Sequence, residues 1–364
     1  MPDRTVFVFG AGATKACGGP LTNEILPEAF KILDSFPGFE REGFLELVNE
    51  YLVERYHIPA DITARKKEDY PQLPRLLAML DAAIERDRSL GAQWTPDRLQ
   101  IVRSGLEFLI FALLQHKLQR LSANHYYSLL KLCGSDPVMV SLNYDIIVDN
   151  AFCRWAEDEV GGAFPDYGTE ISTNAYQTIP KVGTLLKLHG SLNWYFCPGC
   201  QRLFVGINDS GRGEGGRFYK VLEILYVEDP LEPRYSCSGS ACRECGAAVK
   251  PILITPSHQR DYENPHIARI WETANDVLEQ ADQVVIVGYS LPAEDTYVNL
   301  LLNHGLAHLD PSSITVVDYD EDMRELKDHP VGQQYRALFG ANVNWHPEGF
   351  AAWIAAQEAA GTKF

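Results

Sequence analysis

The sequence lacks long apolar runs and an excess of positive charge. No stretch approaches the roughly 18–20 apolar residues that a membrane-spanning helix needs, and the opening MPDRTVFVFGAGA does not have the layout of a signal peptide. The chain has 32 Lys and Arg and 49 Asp and Glu, which gives a formal net charge of −17. This negative charge argues against a surface that binds nucleic-acid phosphates. We therefore expect a cytoplasmic protein that contacts neither membranes nor nucleic acid directly.

Low-complexity linkers and internal repeats are also missing. Hydrophobic residues make up 46% of the chain and charged residues 22%, a composition typical of packed globular proteins and not of disordered ones. The 364 residues exceed the usual single-domain range of about 100–200 residues. We expect one large α/β domain with insertions, or two domains.

Apolar β-type runs alternate with helical patterns along most of the chain. The first run, Thr5–Phe9, leads into the glycine-rich turn Gly10-Ala-Gly-Ala-Thr14. Further buried strands are predicted at Val138–Leu142, Thr184–Leu188, Ile252–Ile254, Gln283–Val287 and Ser313–Val317. Helices are predicted at Pro265–Glu279, Ala293–Leu302 and Ala351–Ala360. This alternation predicts an α/β fold with a parallel sheet, helices on both faces and a ligand site at the ends of the strands.

From about 39 to 131 the pattern is helical without strands, which predicts a helical insertion. The clearest helix begins at Thr95-Pro96, where a capping residue precedes a proline at the first helical position. Its apolar face carries Leu99, Val102, Leu106, Leu109 and Leu113.

The eight cysteines are unevenly distributed. Five fall in one short stretch, which contains the pairs Cys197-Pro-Gly-Cys200 and Cys242-Arg-Glu-Cys245 together with Cys237. Two such knuckles present four thiolates to one tetrahedral ion, and this set leaves no open position for catalysis. We predict a structural zinc, with Cys237 able to replace one of the four ligands; a pair of redox dithiols is the alternative.

Polar or glycine-rich turns directly follow several predicted strands. Gly10-x-Gly12 lets a backbone approach a pyrophosphate, but Lys15 stands where the usual third glycine would be, so a plain tight turn also fits. His189 ends a strand and is either a general base or a strand-end residue. Asn143-x-Asp145 either faces a cationic sugar or forms a turn. Gly288-Tyr-Ser290 is either a nucleotide-contacting turn or a loop.

In this order the motifs resemble the sirtuin family, from about Val6 to Asp320. The resemblance implies a Rossmann-like NAD-binding domain, a small zinc-ribbon module and cleavage of the nicotinamide–ribose bond of NAD. It divides the chain into an NAD-binding domain over 1–38, 132–196 and 251–364, a helical insertion over 39–131 and a zinc-binding module over 197–250.

The resemblance also implies a role for each matching residue. It places Gly10, Ala11, Gly12 and Thr14 on the NAD phosphates. It places Asn143 and Asp145 at the nicotinamide ribose, with His189 as the catalytic base. It places Gly288 and Ser290 on the adenosine side, with Asp318 near the adenosine ribose.

Two departures point to one branch of the family. Deacylases of the family continue the first loop as Gly-Ile-Pro-Asp-Phe-Arg, whereas this chain has Gly19-Pro20-Leu21-Thr22-Asn23, without Phe or Arg. The stretch from Pro256 to Asp295 resembles the bacterial sirtuin-like branch, whose members commonly hydrolyse NAD as anti-phage effectors. The resemblance therefore implies a regulated NAD+ glycohydrolase with a sensor or regulatory partner protein and a homo-oligomeric assembly. A lysine deacylase and a non-catalytic NAD- or ADP-ribose-sensing subunit are the alternatives.

Overall fold

The computed structural model describes residues 4–32, 43–118, 124–173, 180–205, 241–242, 244–253, 264–293 and 295–364. The strands in these ranges are β1 (Thr5–Phe9), β2 (Val138–Ser141), β3 (Phe164–Asp166), β4 (Ser172–Thr173), β5 (Lys181–Lys187), β6 (Gly190–Phe196), β7 (Leu203–Val205), β8 (Lys250–Leu253), β9 (Gln283–Val287), β10 (Ile314–Val317) and β11 (Asn344–His346). The helices are α1 (Ala11–Ala16), α2 (Ile25–Ile32), α3 (Gly43–Tyr56), α4 (Leu73–Glu85), α5 (Pro96–Leu118), α6 (His125–Leu132), α7 (Ile147–Val160), α8 (Pro265–Glu279), α9 (Thr296–Gly305), α10 (Pro330–Phe339) and α11 (Gly349–Ala360). None of the helices in these ranges has the length and apolar character that crossing a membrane requires.

Seven strands form one fully parallel sheet in the order β11-β10-β9-β1-β2-β5-β3. With the edge strand β3 set aside, the others numbered along the chain run 3-2-1-4-5-6, which is the Rossmann order. The chain changes direction across the sheet between β1 and β9, so the topological switch point lies there. The predicted parallel α/β fold is confirmed.

The central strand β1 is buried on both faces. Val6, Phe7, Val8 and Phe9 are each at most 1% exposed. The rings of Phe7 and Phe9 pack edge-on against Phe364 and Tyr126, and Val6 and Val8 point to the opposite face because strand side chains alternate. A strand covered on both faces is an unbroken apolar run, which explains the sequence TVFVF.

Helices cover both faces of the sheet. Helix α6 contacts α7 and α11, and α8 contacts α9 and strand β5. Crossovers between parallel strands are right-handed, so connections that leave β1 in the two directions lie on opposite faces. Helix α7, which follows β2, and helix α9, which follows β9, therefore cover opposite faces.

Helices α2, α3 and α4 pack around α5. The residues predicted for the apolar face of α5 are all fully buried, namely Leu99, Val102, Leu106, Leu109 and Leu113. Trp94, just before α5, packs edge-on against Tyr51 of α3 with ring centroids 4.9 Å apart. The helical character predicted for this stretch is confirmed in its described residues.

A second sheet has the order β4-β7-β6-β8, in which β6 is antiparallel to both β7 and β8. The strand predicted at Ile252–Ile254 lies here as β8, so its expected place in the parallel sheet is wrong. A short apolar run signals a strand but not its partner, and here Gly190 at the start of β6 lies beside Leu253. The proposed division of the chain into three parts stays a prediction.

Candidate active site

The register of the parallel sheet aligns the ends of its strands. Phe9 lies beside Ser141 and Val287, Ser141 lies beside Lys187, and Val287 lies beside Val317. The residues just after these positions meet at the carboxyl edge of the sheet, where ligands bind in folds of this kind. They include Gly10, Asn143, His189, Gly288 and Asp318.

A cavity of about 550 Å³ opens at this edge, beside the switch point between β1 and β9. Its size falls within the roughly 300–1,000 Å³ of small-molecule sites. The cavity is lined by every residue for which a catalytic or dinucleotide-binding role was predicted: Gly10, Ala11, Gly12, Thr14, Asn143, Asp145, His189, Gly288, Ser290 and Asp318. The structure brings this set together, and the individual roles stay predictions.

The glycines of the first loop permit a close approach between two backbones. A Cβ on Gly10 would lie 2.6 Å from the carbonyl oxygen of Gly288, and one on Gly12 would lie 2.7 Å from the Gly288 Cα. Gly288 itself has a φ of +62°, a left-handed conformation that favours glycine. The loops after β1 and β9 therefore pack directly on each other. This contact alone explains why glycine occupies these positions.

Several N–H groups of the first loop are already paired. The N–H groups of Gly10, Gly12 and Ala13 donate to the carbonyl oxygens of Val287, Gly288 and Gly10 at 2.9, 2.8 and 3.0 Å. These three donors are used within the protein, so they are not available to a phosphate in this conformation.

Asp145 ties the first loop to the end of β2. The hydroxyl of Thr14 donates to Oδ2 of Asp145 at 2.5 Å, and the N–H of Ile147 donates to Oδ1 at 2.9 Å. Burial raises the pKa of this carboxyl, and the ammonium of Lys187 acts in the opposite direction. Both carboxyl oxygens have a partner, so the side chain is held in one orientation.

A buried ion pair lies beneath Asp145. The ammonium of Lys187 is 2.5 Å from the carbonyl oxygen of Asp145 and 2.7 Å from Oδ2 of Asp149. Lys187 and Asp149 are both 0% exposed, and the hydroxyl of Tyr167 donates to Asp149 at 2.7 Å. The sequence analysis missed this pair, although a lysine between leucines in a buried strand indicates a buried acidic partner.

Asn143 holds the same loop from another direction. Its side-chain amide Nδ2 donates to the carbonyl oxygen of Gly10 at 2.8 Å, while its backbone N–H donates to Oγ of Ser141 at 3.2 Å. Asn143 therefore has a structural contact as well as a place in the cavity wall.

His189 lies in the turn that joins β5 to β6. Its Nδ1 is 3.1 Å from the carbonyl oxygen of Leu142. A carbonyl oxygen only accepts hydrogen bonds, so in the neutral ring Nδ1 carries the hydrogen and Nε2 carries the lone pair. The next residue, Gly190, has a φ of +81°, and a Cβ there would meet the carbonyl oxygen of Ile252. This turn places His189 in the wall of the cavity.

Asp295, just before α9, is the other carboxylate near His189. Its Oδ1 lies 3.8 Å from Nε2 of His189, and the two side chains are 3% and 5% exposed. The hydroxyl of Tyr289 donates to Oδ2 at 2.8 Å, whereas Oδ1 has no hydrogen-bond partner in the described part of the chain. Burial raises the pKa of this carboxyl. The sequence analysis did not assign Asp295 to the site, because an aspartate at a helix start is ordinarily a cap.

Asp318 follows β10 on the far side of the switch point. Its N–H donates to the carbonyl oxygen of His346 at 2.9 Å, and burial raises the pKa of its carboxyl. The N–H of Gly288 donates to the carbonyl oxygen of Val317 at 2.8 Å, so the loops after β9 and β10 are also joined.

The helical layer supplies the wall opposite the sheet edge. Leu73 and Leu77 of α4 and Ile110 and Leu114 of α5 line the cavity on that side. Arg75 of α4 is exposed, and among the described residues that line the cavity it is the single Lys or Arg. The cavity thus has a polar edge, an apolar wall and one permanent positive charge.

The four cysteines of the two predicted knuckles lie close together, and none of them lines this cavity. The sulfurs of Cys197, Cys200, Cys242 and Cys245 all lie within 4.8 Å of one another. The Cys197–Cys245 and Cys200–Cys242 sulfur distances are 3.3 and 3.7 Å, close to the roughly 3.8 Å between thiolates around a tetrahedral zinc. These residues fit one structural zinc ion. Cys237, the alternative ligand, lies outside the described residues.

No family model and no curated protein match this chain. Among solved structures it is similar to a Sir2 homolog in complex with NAD, with 12% identity, 99% of this chain and 92% of that chain covered, and a TM-score of 0.44. It is also similar to Sir2 bound to an acetylated peptide, with 12% identity, 98% and 93% covered, and a TM-score of 0.44. Sir2 sirtuins are therefore structural neighbours, but at TM-scores below 0.5 the fold assignment rests on the strand order and register above.

Proposed function

We propose that this chain is an NAD+ glycohydrolase that cleaves the nicotinamide–ribose bond and releases nicotinamide and ADP-ribose. The observation that carries the proposal is the position of His189, which lines a cavity at the switch point of a Rossmann sheet and whose Nδ1 lies 3.1 Å from the carbonyl oxygen of Leu142. This is the crevice in which open α/β sheets bind dinucleotides.

In the proposed complex NAD+ lies along the carboxyl edge of the sheet. The adenosine half lies against Gly288, Ser290 and Asp318, where the acidic side chain reaches a ribose hydroxyl. Gly10, Ala11, Gly12 and Thr14 form the floor under the phosphates. Because several loop N–H groups are paired within the protein, we assign the charge that balances the pyrophosphate to Arg75.

The nicotinamide ribose lies between Asn143 and His189 in this proposal. Departure of nicotinamide takes the electron pair of the C–N bond and leaves positive charge on the ribose, as in other glycosidic cleavages. The neutral leaving group needs little acid catalysis. Asp145, whose oxygens are both bonded, stabilises that charge through space while it holds Thr14 and the loop.

Water completes the proposed reaction. Its oxygen forms the new bond to the ribose carbon, and one of its protons moves to Nε2 of His189. The balance is NAD+ and water giving nicotinamide, ADP-ribose and one proton. Asn143 orients the water through its side-chain amide.

Two substitutions test the roles of His189 and Asn143. We expect His189→Ala and Asn143→Ala to lower NAD+ turnover by at least about 100-fold. Both variants should still bind ADP-ribose and should remain folded at the assay temperature, as their unfolding midpoints would show. Turnover is measured by chromatography of nicotinamide and ADP-ribose, and binding by calorimetry. Turnover near the wild-type rate in either variant contradicts the mechanism.

The same assay separates the alternatives. A lysine deacylase consumes NAD+ only when an acyl-lysine peptide is present, so nicotinamide that forms only in the presence of a mixed peptide library identifies this activity. A sensing subunit binds NAD+ or ADP-ribose and forms no product under any condition. The first loop, Gly19-Pro20-Leu21-Thr22-Asn23, favours hydrolysis because it lacks the aromatic and basic residues of the deacylase loop.

We further propose that one zinc ion cross-links the two cysteine knuckles and stabilises the small sheet. Elemental analysis is expected to find about one zinc per chain in the wild type and a much lower content in Cys197→Ser. Cys133→Ser, which changes a cysteine outside the cluster, serves as the control and should keep the metal. Equal zinc contents in the two variants contradict the assignment.

We also propose a role in anti-phage defence, which rests on the resemblance of the stretch from Pro256 to Asp295 to anti-phage enzymes. Hydrolysis would be slow in the resting homo-oligomer of this chain and would become faster when a sensor or regulatory protein acts on it. The expected result is a fall in cellular NAD+ after phage infection in cells that carry the wild type, and none in cells that carry His189→Ala. Mass photometry of the purified protein measures the assembly.

A further inference from the structure

We propose that Asp295 is a positioning residue for His189, whose protonated ring it holds in place during the reaction. The inference rests on the proposed function, because it concerns the state of His189 after Nε2 has accepted a proton. It adds Asp295 to the proposed mechanism, as the residue that stabilises the protonated ring of His189.

The carboxylate is fixed in a single orientation. Its Oδ2 accepts the hydroxyl of Tyr289 at 2.8 Å, and the carbonyl oxygen of Tyr289 in turn accepts the hydroxyl of Tyr335 at 2.7 Å. The backbone N–H of Asp295 donates to the carbonyl oxygen of Pro292 at 3.0 Å. Contacts from the loop after β9 and from α10 thus hold the carboxylate that carries Oδ1.

Oδ1 is the unusual atom of this arrangement. The atom is buried and has no hydrogen-bond partner in the described part of the chain, and Asp295 is one of the residues that line the cavity. A buried acceptor without a donor is costly and rare in folded proteins. The donor that fits it is an N–H on Nε2 of His189, which is absent from the neutral ring and present once the ring is protonated.

The distance agrees with this reading. At 3.8 Å from Nε2, Oδ1 is too far for a hydrogen bond and close enough that a small rotation of the ring would form one. One water or ribose hydroxyl can also contact both atoms before the proton moves. After the transfer, the imidazolium and the carboxylate form a charge-assisted hydrogen bond between two buried side chains.

The proton balance needs no further reactant. The O–H bond of the attacking water breaks, the proton goes to Nε2, and Asp295 gains a hydrogen bond without a change in its own covalent bonds. When the products leave, the proton returns from Nε2 to solvent. Asp295 thus acts in the step that forms the imidazolium and contributes little to binding of NAD+.

The kinetic test compares Asp295→Asn with Asp276→Asn, which removes an exposed carboxylate on α8. We expect Asp295→Asn to lower kcat by roughly 10–100-fold while KM and the Kd for ADP-ribose change by less than about threefold. Asp276→Asn should behave as wild type. An unchanged kcat in Asp295→Asn, or a loss of ADP-ribose affinity as large as the loss of kcat, overturns the proposal.

Tyr289→Phe gives a second, milder variant of the same arrangement. Without the hydroxyl, Oδ2 of Asp295 loses its donor and the carboxylate is free to rotate. We expect a smaller fall in kcat with the same unchanged ADP-ribose affinity, and less than additive losses when the two substitutions are combined. Fully additive losses contradict a shared pathway through His189.

A spectroscopic readout keeps this test separate from that of the proposed function. In protein carrying ¹⁵N-histidine, the proton on Nε2 of acid-form His189, assigned by its absence in His189→Ala, should resonate downfield in the wild type and upfield of that position in Asp295→Asn. The same position in both proteins overturns the proposal. If wild type consumes no NAD+, the proposed function fails, and this signal alone decides the role of Asp295.

Discussion

The cavity has a buried aspartate on each side of the switch point, and the two are held in different ways. Asp145, after β2, has a donor on each carboxyl oxygen and an ammonium on its own carbonyl oxygen. Asp295, before α9, accepts the Tyr289 hydroxyl on Oδ2, and the N–H of Val298 also lowers the pKa of its carboxyl. Its Oδ1 has no hydrogen-bond partner in the described residues and lies 3.8 Å from Nε2 of His189. Burial raises the pKa of both carboxyls.

This difference distinguishes Asp145, which holds the loop after β1 in place, from Asp295, which acts on His189. The contacts of Asp145 lock the loop after β1 onto the end of β2, so its contribution to folding should be large. The unpaired oxygen of Asp295 is a cost in the resting protein that a proton on His189 removes. The comparison therefore predicts large effects on stability around Asp145 and larger effects on turnover than on stability around Asp295.

The largest expected effect is on the support beneath Asp145. Lys187→Met removes a fully buried ammonium and leaves Asp149 without its ion-pair partner, so we expect a loss of about 3–5 kcal/mol in the free energy of unfolding. Urea denaturation measures it. Lys181→Met on the same strand breaks a pair in which both side chains are about half exposed and should cost only about 0–1 kcal/mol. Similar losses in the two variants would contradict the role of Asp145 in holding the loop.

Thr14→Val tests the other contact of Asp145. The substitution keeps the side-chain shape but removes the hydroxyl that donates to Oδ2, so the buried carboxylate loses one partner. We expect a cost of about 1–3 kcal/mol in the free energy of unfolding. Thr273→Val removes the hydroxyl of a half-buried residue of α8, which donates to the carbonyl oxygen of Arg269, and should cost no more than about 0.5 kcal/mol because no buried charge loses a partner. A cost at Thr14 no greater than at Thr273 would show that this bond does not hold the loop.

The smallest expected effect is a pH dependence that comes from Asp295. Because burial raises its pKa, the folded chain binds this proton more tightly than the unfolded chain does. Stability therefore falls as the pH rises from the ordinary carboxyl range through the raised pKa, and this contribution is level above it. Asp295→Asn does not ionise, so its stability relative to wild type should improve over that interval. Urea titrations between about pH 4 and pH 8 measure the difference, and a constant difference would contradict the raised pKa.

Much of this architecture could be predicted from local sequence signals. Strands buried on both faces are continuous apolar runs, as in Thr5–Phe9 and Gln283–Val287, and both have the predicted bounds. The helix at Pro265–Glu279 also has its predicted bounds, because a capping asparagine and a proline mark its start. Polar residues that follow such strands lie at the same edge of the sheet because the strands are parallel, and this holds for any conformation of the loops.

Features that depend on distant partners could not be predicted in this way. The pairing of β8 with β6 places Lys250–Leu253 outside the parallel sheet, and a four-residue strand carries no signal of its partner. The ion pair of Lys187 and Asp149 joins two elements that are adjacent only after folding. The orientation of Asp295 toward His189 depends on Tyr289 and Tyr335, which lie in different elements.

Hydrolysis of NAD+ is tested best by measuring the nicotinamide that the purified wild-type chain releases from NAD+ with no peptide present. We expect nicotinamide and ADP-ribose in equal amounts, over many turnovers per chain, and at a rate that an acyl-lysine peptide library does not change. NAD+ that binds and stays intact, or that is consumed only when the peptides are added, would contradict this expectation.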